Sequence, residues 1–178
     1  MKTIKLPYQI SELDSSIVKK YRQQQSIIIR YAYNRFLENK TEKEIRLLCK
    51  NLNNIDLLNS WLVQSAIKKS SEIFKRTKDS KIIFGGKYNF INRIQNKISK
   101  DEYQNNRLLP ITSVGESIQK GNRLFNFNII EDNSIVFKPS RNIKIKLQLP
   151  KLKKNYKTEL YQLQQLYLNK NKQLYQFN

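Results

Sequence analysis

The sequence predicts an α+β protein in which a small β-barrel carries an inserted helical bundle. Three observations lead to this fold class. Apolar residues recur at helical spacing between residues 11 and 78, they alternate with polar residues after residue 124, and short alternating segments lie near both ends, at residues 3–6 and 173–177. We therefore divide the chain into a first barrel strand (1–10), a helical insertion (11–80) and the remaining barrel (81–178).

The first strand is predicted from Thr3-Ile4-Lys5-Leu6, which alternates and is followed by Pro7. Ser11 and Asp14 then form a plausible capping pair for a first helix that runs to about Leu37. Its apolar face is predicted to be buried, and consists of Ile17, Tyr21, Ile28, Ala32 and Phe36. The other face is rich in Lys and Arg and is either a solvated surface or a basic binding surface.

Two further helices are predicted before residue 80. Thr41 and Glu44 fit a capping box that begins the second helix. The third is expected from about Leu58 to Lys78, with Trp61 on its apolar stripe as a core residue rather than a base-stacking platform.

A basic segment, residues 82–123, connects the helical half to the β-rich half. It contains all four glycines of the chain, at positions 85, 86, 115 and 121, which indicates sharp turns or close backbone approaches. Basic residues there are interleaved with Tyr88, Phe90 and Tyr103, and this mixture suits unpaired or structured RNA. The alternative is a solvated basic loop packed over a β core.

The β-rich half is predicted from alternation. Leu124 to Ile129 leads into a turn at 131–134, and two more strands follow at 135–137 and 143–149. A short helix is expected around residues 160–167 before the final strand. No acidic residue occurs from Asn133 to Thr158, so this region adds to the basic surface without specifying a sequence.

The charge indicates a polyanionic partner. The 178 residues contain 34 Lys and Arg against 14 Asp and Glu, a formal charge of +20. Such an excess of one sign favours nucleic acid. We expect no membrane association, because there is neither an apolar run that could span a bilayer nor a basic amphipathic helix, and without a signal peptide we expect a cytoplasmic protein.

The residue types argue against an enzyme. There is no histidine, and the single cysteine, Cys49, is predicted to be a small buried apolar residue. The acidic residues are scattered over predicted helices and turns, so we expect no two-metal centre, catalytic triad or general base. The prediction is a protein with no cofactor, metal or catalytic residue.

Several short blocks in the middle of the chain occur in the order typical of one family. The blocks are Phe84-Gly85-Gly86-Lys87, residues 97–103, Arg107-Leu108-Leu109-Pro110-Ile111, Ser113-Val114-Gly115-Glu116 and Gln119-Lys120-Gly121-Asn122-Arg123. Together they resemble the wedge domain of transposon-encoded TnpB (OrfB-family) proteins and type V CRISPR effectors. Earlier in the chain, Tyr33-Asn34-Arg35-Phe36-Leu37-Glu38 resembles the first helix of the same OrfB-type proteins.

The resemblance implies an OB-like wedge barrel with an inserted recognition lobe, which together hold a guide or scaffold RNA. The implied RNA contacts are Lys87, Arg93, Lys97, Arg107, Ser113, Lys120, Asn122 and Arg123. Gln64 and Lys68 are implied to contact DNA beside the target sequence.

Members of the family continue into a RuvC-type nuclease, and we expect this chain to differ from them in having none. The implied function is a non-catalytic guide-RNA-binding subunit of a split effector, with a separate RuvC chain as partner. The alternatives are an anti-CRISPR-like inhibitor that occupies guide RNA or a type V effector, or a nuclease-less RNA-guided DNA-binding repressor. A plain duplex-DNA binder ranks lower, because neither long helix groups base-reading side chains at one end.

Overall fold

The structure is a computed structural model that describes residues 8–52, 58–77, 80–114, 124–128, 132–140, 142–150 and 174–176. These residues form a mixed α+β fold with five helices and five strands, which confirms the predicted class. The helices are α1 (Glu12–Leu37), α2 (Glu42–Cys49), α3 (Ser60–Arg76), α4 (Lys87–Ile94) and α5 (Lys100–Asn105). The strands are β1 (Thr112–Val114), β2 (Phe125–Asn128), β3 (Ser134–Phe137), β4 (Ile145–Gln148) and β5 (Leu174–Gln176).

Helix α1 begins and ends where the sequence predicts. The Ser11 hydroxyl accepts a hydrogen bond from the Asp14 backbone N–H at 3.1 Å, which satisfies one of the amides that a helix start leaves unpaired. Its predicted apolar face is buried at Tyr21, Ile28, Ala32 and Phe36, with Ile17 packed at the edge of the core.

Helices α2 and α3 also have side-chain caps. Thr41 and Glu44 form the predicted capping box, in which the carboxylate accepts from the Thr41 N–H at 2.8 Å. The hydrogen bonds from Thr41 lower the pKa of Glu44. Asn59 caps α3 by accepting from the Trp61 N–H at 3.1 Å. Trp61 packs against the core, as predicted, although its side chain remains partly exposed.

The strands form two antiparallel sheets within the described residues. One has the order β2-β3-β4, with Phe125 opposite Phe137 and Phe137 opposite Ile145. The other pairs β1 with β5, which confirms the predicted final strand. In β4 the side chains of Ile145 and Leu147 are buried and Lys146 is exposed, as alternation predicts.

One apolar core joins the helices and the three-stranded sheet. Buried residues of α1, α2, α3, β2, β3 and β4 belong to a single cluster. The ring of Tyr21 on α1 meets that of Phe137 on β3 edge to face at 6.2 Å, and Phe137 stacks on Phe125 at 4.8 Å. Helix α3 lies against α1 on one side and contacts β1 as well.

The sequence pattern predicts no helix in the connecting segment, yet the segment contains α4 and α5. These helices have eight and six residues, too short for the apolar repeat to be recognised in the sequence. Local capping begins α5, since Ser99 accepts from the Glu102 N–H at 3.0 Å, whereas α4 follows Gly86 without a side-chain cap. The predicted strand at 3–6 and helix at 160–167 lie outside the described residues.

Candidate nucleic-acid interface

The structure brings four of the predicted RNA contacts into one helical unit. Lys87 and Arg93 lie on α4, Lys97 lies in the turn that follows it, and Arg107 follows α5. Ser113 lies in β1 and is buried, with 1% of its surface exposed. The remaining predicted contacts, Lys120, Asn122 and Arg123, lie outside the described residues.

The predicted DNA contacts lie on a different element. Gln64 and Lys68 occupy successive turns of α3, and both side chains are partly exposed. Their spacing of four residues places them on the same side of this helix. Whether DNA binds there stays a prediction.

Two glycines shape the start of the α4–α5 unit. Gly85 and Gly86 both have a φ of +85°, a conformation that L side chains rarely adopt. A Cβ atom on Gly85 would lie 2.8 Å from Cγ of Arg107 and 3.0 Å from Nδ2 of Asn89. At Gly86 nothing lies within 4 Å of that position. The predicted close approach is therefore made by Gly85, which lies directly against the base of the Arg107 side chain.

Asparagine side chains connect the two short helices. Asn89 on α4 is 7% exposed and accepts a hydrogen bond from the Asn106 side chain at 3.0 Å. Its own amide donates to the Tyr103 carbonyl at 3.4 Å. Arg93 donates to the Ile98 carbonyl at 3.3 Å, which closes the turn between the helices. These bonds give the unit a defined shape although it has little apolar core.

Polar side chains of α1 hold the backbone of residues 107–112, which we call the 107–112 segment. Arg22 donates from Nε to the Leu109 carbonyl at 3.0 Å and from Nη2 to the Leu108 carbonyl at 3.3 Å. Ser26 accepts from the Leu109 N–H at 2.9 Å. These bonds place the segment along the length of α1.

Gln25 makes the most complete of these contacts. It is 1% exposed, and its side chain both donates to the Thr112 carbonyl and accepts from the Thr112 N–H, each at 2.8 Å. Sequence reasoning missed this group and interpreted the basic residues of α1 as a surface. The available signal was the position of Gln25 and Ser26 between buried Tyr21 and Ile28, where a helix turns its apolar side inward.

Two arginines lie together where α1 meets the α4–α5 unit. Arg30 donates from Nη1 to the Arg107 carbonyl at 3.4 Å. Burial, and secondarily the positive charge of Arg107, lower the pKa of Arg30 to about 10. The Arg107 guanidinium lies over the Tyr103 ring, 5.0 Å from its centre, and its Nε is buried without a hydrogen-bond partner. We call these two residues the arginine pair.

No carboxylate neutralises the arginine pair among the described residues. The ion pairs found there involve Arg35, Lys40, Lys69 and Lys146 as the basic partners. Burial and the positive charge of Arg107 both oppose the charged form of Arg30, which costs free energy. An anion bound between them would lower that cost.

Aromatic side chains are exposed beside these cations. Tyr88 and Phe90 on α4 are 78% and 41% exposed, and the helix contains no acidic residue. The same helix carries Lys87 and Arg93. Cations and open aromatic faces therefore occur on a single short helix.

The fold and the site define an α+β protein with a cationic, aromatic surface built from α1, α4 and α5. The chain matches the family described as the SSO2105 N-terminal domain over residues 3–176 and belongs to this family. No match to a curated protein or to a solved structure was found. The family description names no ligand or activity.

None of the helices in the described part of the chain has the length and apolar character needed to cross a membrane. The same part of the chain contains no group of three or more His, Cys, Asp or Glu side chains placed to hold a metal ion.

Proposed function

We propose that this protein binds RNA without catalysing a reaction, and that the arginine pair is the centre of the binding surface. The observation that carries the proposal is the juxtaposition of Arg30 and Arg107, for which the described part of the chain provides no carboxylate partner. A phosphate group supplies the missing negative charge and several acceptor oxygens, and guanidinium groups bind it in a fixed geometry.

RNA with unpaired bases fits this surface better than a regular duplex. The exposed rings of Tyr88 and Phe90 offer faces on which bases stack, beside Lys87 and Arg93. A duplex keeps its bases stacked on each other and presents mainly phosphates, so it would leave these rings unused. The net charge of +20 strengthens binding of either form and makes it dependent on salt.

The resemblance to TnpB proteins and type V effectors makes a guide or scaffold RNA the proposed ligand, and target DNA a further one. An OB-like wedge barrel is part of this proposal. It is supported by the antiparallel β2-β3-β4 meander and by the backbone bridge between Gln9 and Gln148, which brings Gln9 beside β4. The proposed role is the RNA-holding subunit of a split effector whose nuclease is a separate RuvC-type chain.

The proposal is tested by neutralising Arg107. We expect Arg107→Gln to weaken binding of a labelled structured RNA about tenfold and to reduce the magnitude of the salt slope by about one, as loss of one phosphate contact does. Arg46→Gln is the matched control, because Arg46 is an exposed arginine on α2 and the total charge changes equally. The site would be refuted if the two substitutions weakened RNA binding equally, or if neither weakened it.

The partner is identified by purifying the protein from its host without nuclease and sequencing the RNA and proteins that accompany it. A discrete RNA together with a RuvC-type polypeptide supports the split effector. The same RNA with an intact type V effector supports the inhibitor, and RNA with target DNA but no nuclease supports the repressor. Cleavage of RNA or DNA by the pure chain with divalent metal would contradict a non-catalytic role.

A further inference from the structure

A cavity of about 340 Å³ opens beside the N-terminal half of α1, against the 107–112 segment. Its apolar lining comes from Val18, Leu108 and Ile111. Lys19 and Arg22 bring two positive charges to the same cavity, and no Asp or Glu is among the described residues that line it. A volume at the lower end of the range for small-molecule sites, with apolar walls and two cations, suits a flat ring that carries an anionic group.

The two cations are available in different ways. Arg22 is fixed by its bonds to the Leu108 and Leu109 carbonyls, which use Nε and one hydrogen of Nη2. Its Nη1 donors remain for a ligand. Lys19 lies one turn earlier on α1 and is exposed, so its ammonium group is able to reach the mouth of the cavity. Asn105 and Tyr8, which also line the cavity, add an amide and a phenol ring.

We propose that this cavity takes one unstacked nucleotide of the bound RNA, with the base against Val18, Leu108 and Ile111 and its phosphate on Lys19 and Arg22. This inference rests on the proposed RNA binding and deepens it. Arg30 follows Arg22 by eight residues, or about 12 Å along the helix axis, and both donate to carbonyls of residues 107–109. An RNA strand that contacts the arginine pair therefore reaches the cavity by continuing along α1.

The base is expected to be recognised mainly by contact with the apolar walls and by hydrogen bonds to Asn105. Unpaired bases are held in proteins by stacking and by contacts to their edges, which a paired base cannot offer. The cavity should therefore add affinity for single-stranded RNA and none for a continuous duplex.

A substitution at the rim of the cavity tests the proposal by filling the cavity with a side chain. Ser15 lines the cavity and is exposed, so Ser15→Trp places an indole there without removing a core residue. Ser16→Trp, at the adjacent exposed position outside the lining, is the matched control. We expect Ser15→Trp to weaken single-stranded RNA binding about tenfold, the usual size of one lost base contact. Duplex binding should not change for either variant.

The outcomes separate the two proposals. Unchanged single-strand affinity in Ser15→Trp, or an equal loss in Ser16→Trp, overturns the nucleotide site and leaves RNA binding intact. Failure of the wild-type chain to bind any RNA overturns both. A second measurement holds even if Ser15→Trp does not fold. Photo-crosslinking of wild-type protein to RNA containing 4-thiouridine should yield peptides with residues 8–22 or 105–111, and crosslinks confined to other regions overturn the site.

Discussion

Cys49 shows how burial alone determines the chemistry of a side chain in this protein. Its thiol has no exposed surface, and desolvation raises its pKa from the ordinary 9.0 to about 11. The thiolate is the reactive form, so at pH 8 its fraction is about a hundredfold smaller than for an ordinary thiol. We expect a maleimide or disulfide reagent to modify the native protein at least a hundredfold more slowly than the protein in denaturant. Rapid native labelling would contradict the buried position.

The raised pKa of Cys49 makes the free energy of unfolding depend on pH. Because the folded state keeps the Cys49 proton to higher pH than the unfolded state, it binds more protons between about pH 9 and pH 11. The contribution of this group is therefore complete below pH 9 and is lost as the pH rises toward 11. Replacing Cys49 by Ala, which cannot ionise, removes this component from the pH dependence of the unfolding free energy.

The role of a single residue was predictable where its residue type restricts it to few structural settings. Gly85 was expected at a close backbone approach, and the structure places it against Arg107. Cys49 was expected to be buried and is. Gln25 was not identified, because a buried glutamine that binds a distant backbone depends on Thr112, 87 residues away, which no local pattern reveals.

The α4–α5 unit depends on Gly85 more than on Gly86. An alanine at either position is strained by the φ of +85°, at a cost of about 1 kcal/mol. Gly85→Ala also forces its Cβ against Cγ of Arg107, a clash that adds about 1–3 kcal/mol. We expect chemical denaturation to show the larger loss of stability for Gly85→Ala.

RNA binding provides a second measurement on the same pair of variants. Moving the Arg107 side chain disturbs the arginine pair, so Gly85→Ala should also weaken RNA binding, whereas Gly86→Ala places its Cβ in open space and should not. Equal affinities in folded samples of the two variants would show that the position of Arg107 is unimportant for binding.

Elements were predictable where a long apolar repeat, a capping box or a regular alternation is present. The apolar repeat and Ser11 define α1, the capping box defines α2, and alternation defines β3 and β4. Helices α4 and α5 were missed because each has at most two turns and their exposed apolar residues follow no buried stripe. Their arrangement comes from contacts that include the Asn89–Asn106 hydrogen bond, which forms only in the folded chain.

At the scale of the molecule, charge predicts the class of ligand but not where it binds. A net charge of +20 indicates a polyanion wherever the cations lie. The arginine pair and the cavity on α1 depend on the folding of residues 107–112 across α1, and this contact has a sequence separation of about 80 residues. Composition therefore anticipated nucleic-acid binding as a hypothesis, whereas the candidate site required the structure.

The helical and β-rich parts of the protein are expected to unfold together. They were predicted as separate regions, 11–80 and 81–178, yet the apolar core is continuous between them through contacts such as Tyr21 with Phe137. A shared core couples two parts, because unfolding one exposes the apolar surface of the other. We expect one transition, with far-UV circular dichroism of the helices and hydrogen exchange of the β3 amides giving the same unfolding free energy.

Phe137→Ala tests this coupling directly. Removing a buried ring of β3 that contacts both α1 and β2 costs about 3–5 kcal/mol. In a coupled fold the loss appears equally in the stability of α1 and of the sheet, whereas in two independent units it appears only in the sheet. A variant whose α1 amides keep their full protection while the β3 amides exchange freely would show that the helical part is stable without the sheet. The proposed RNA-binding surface, which lies mainly on α1, α4 and α5, would then be expected to retain its affinity in that variant.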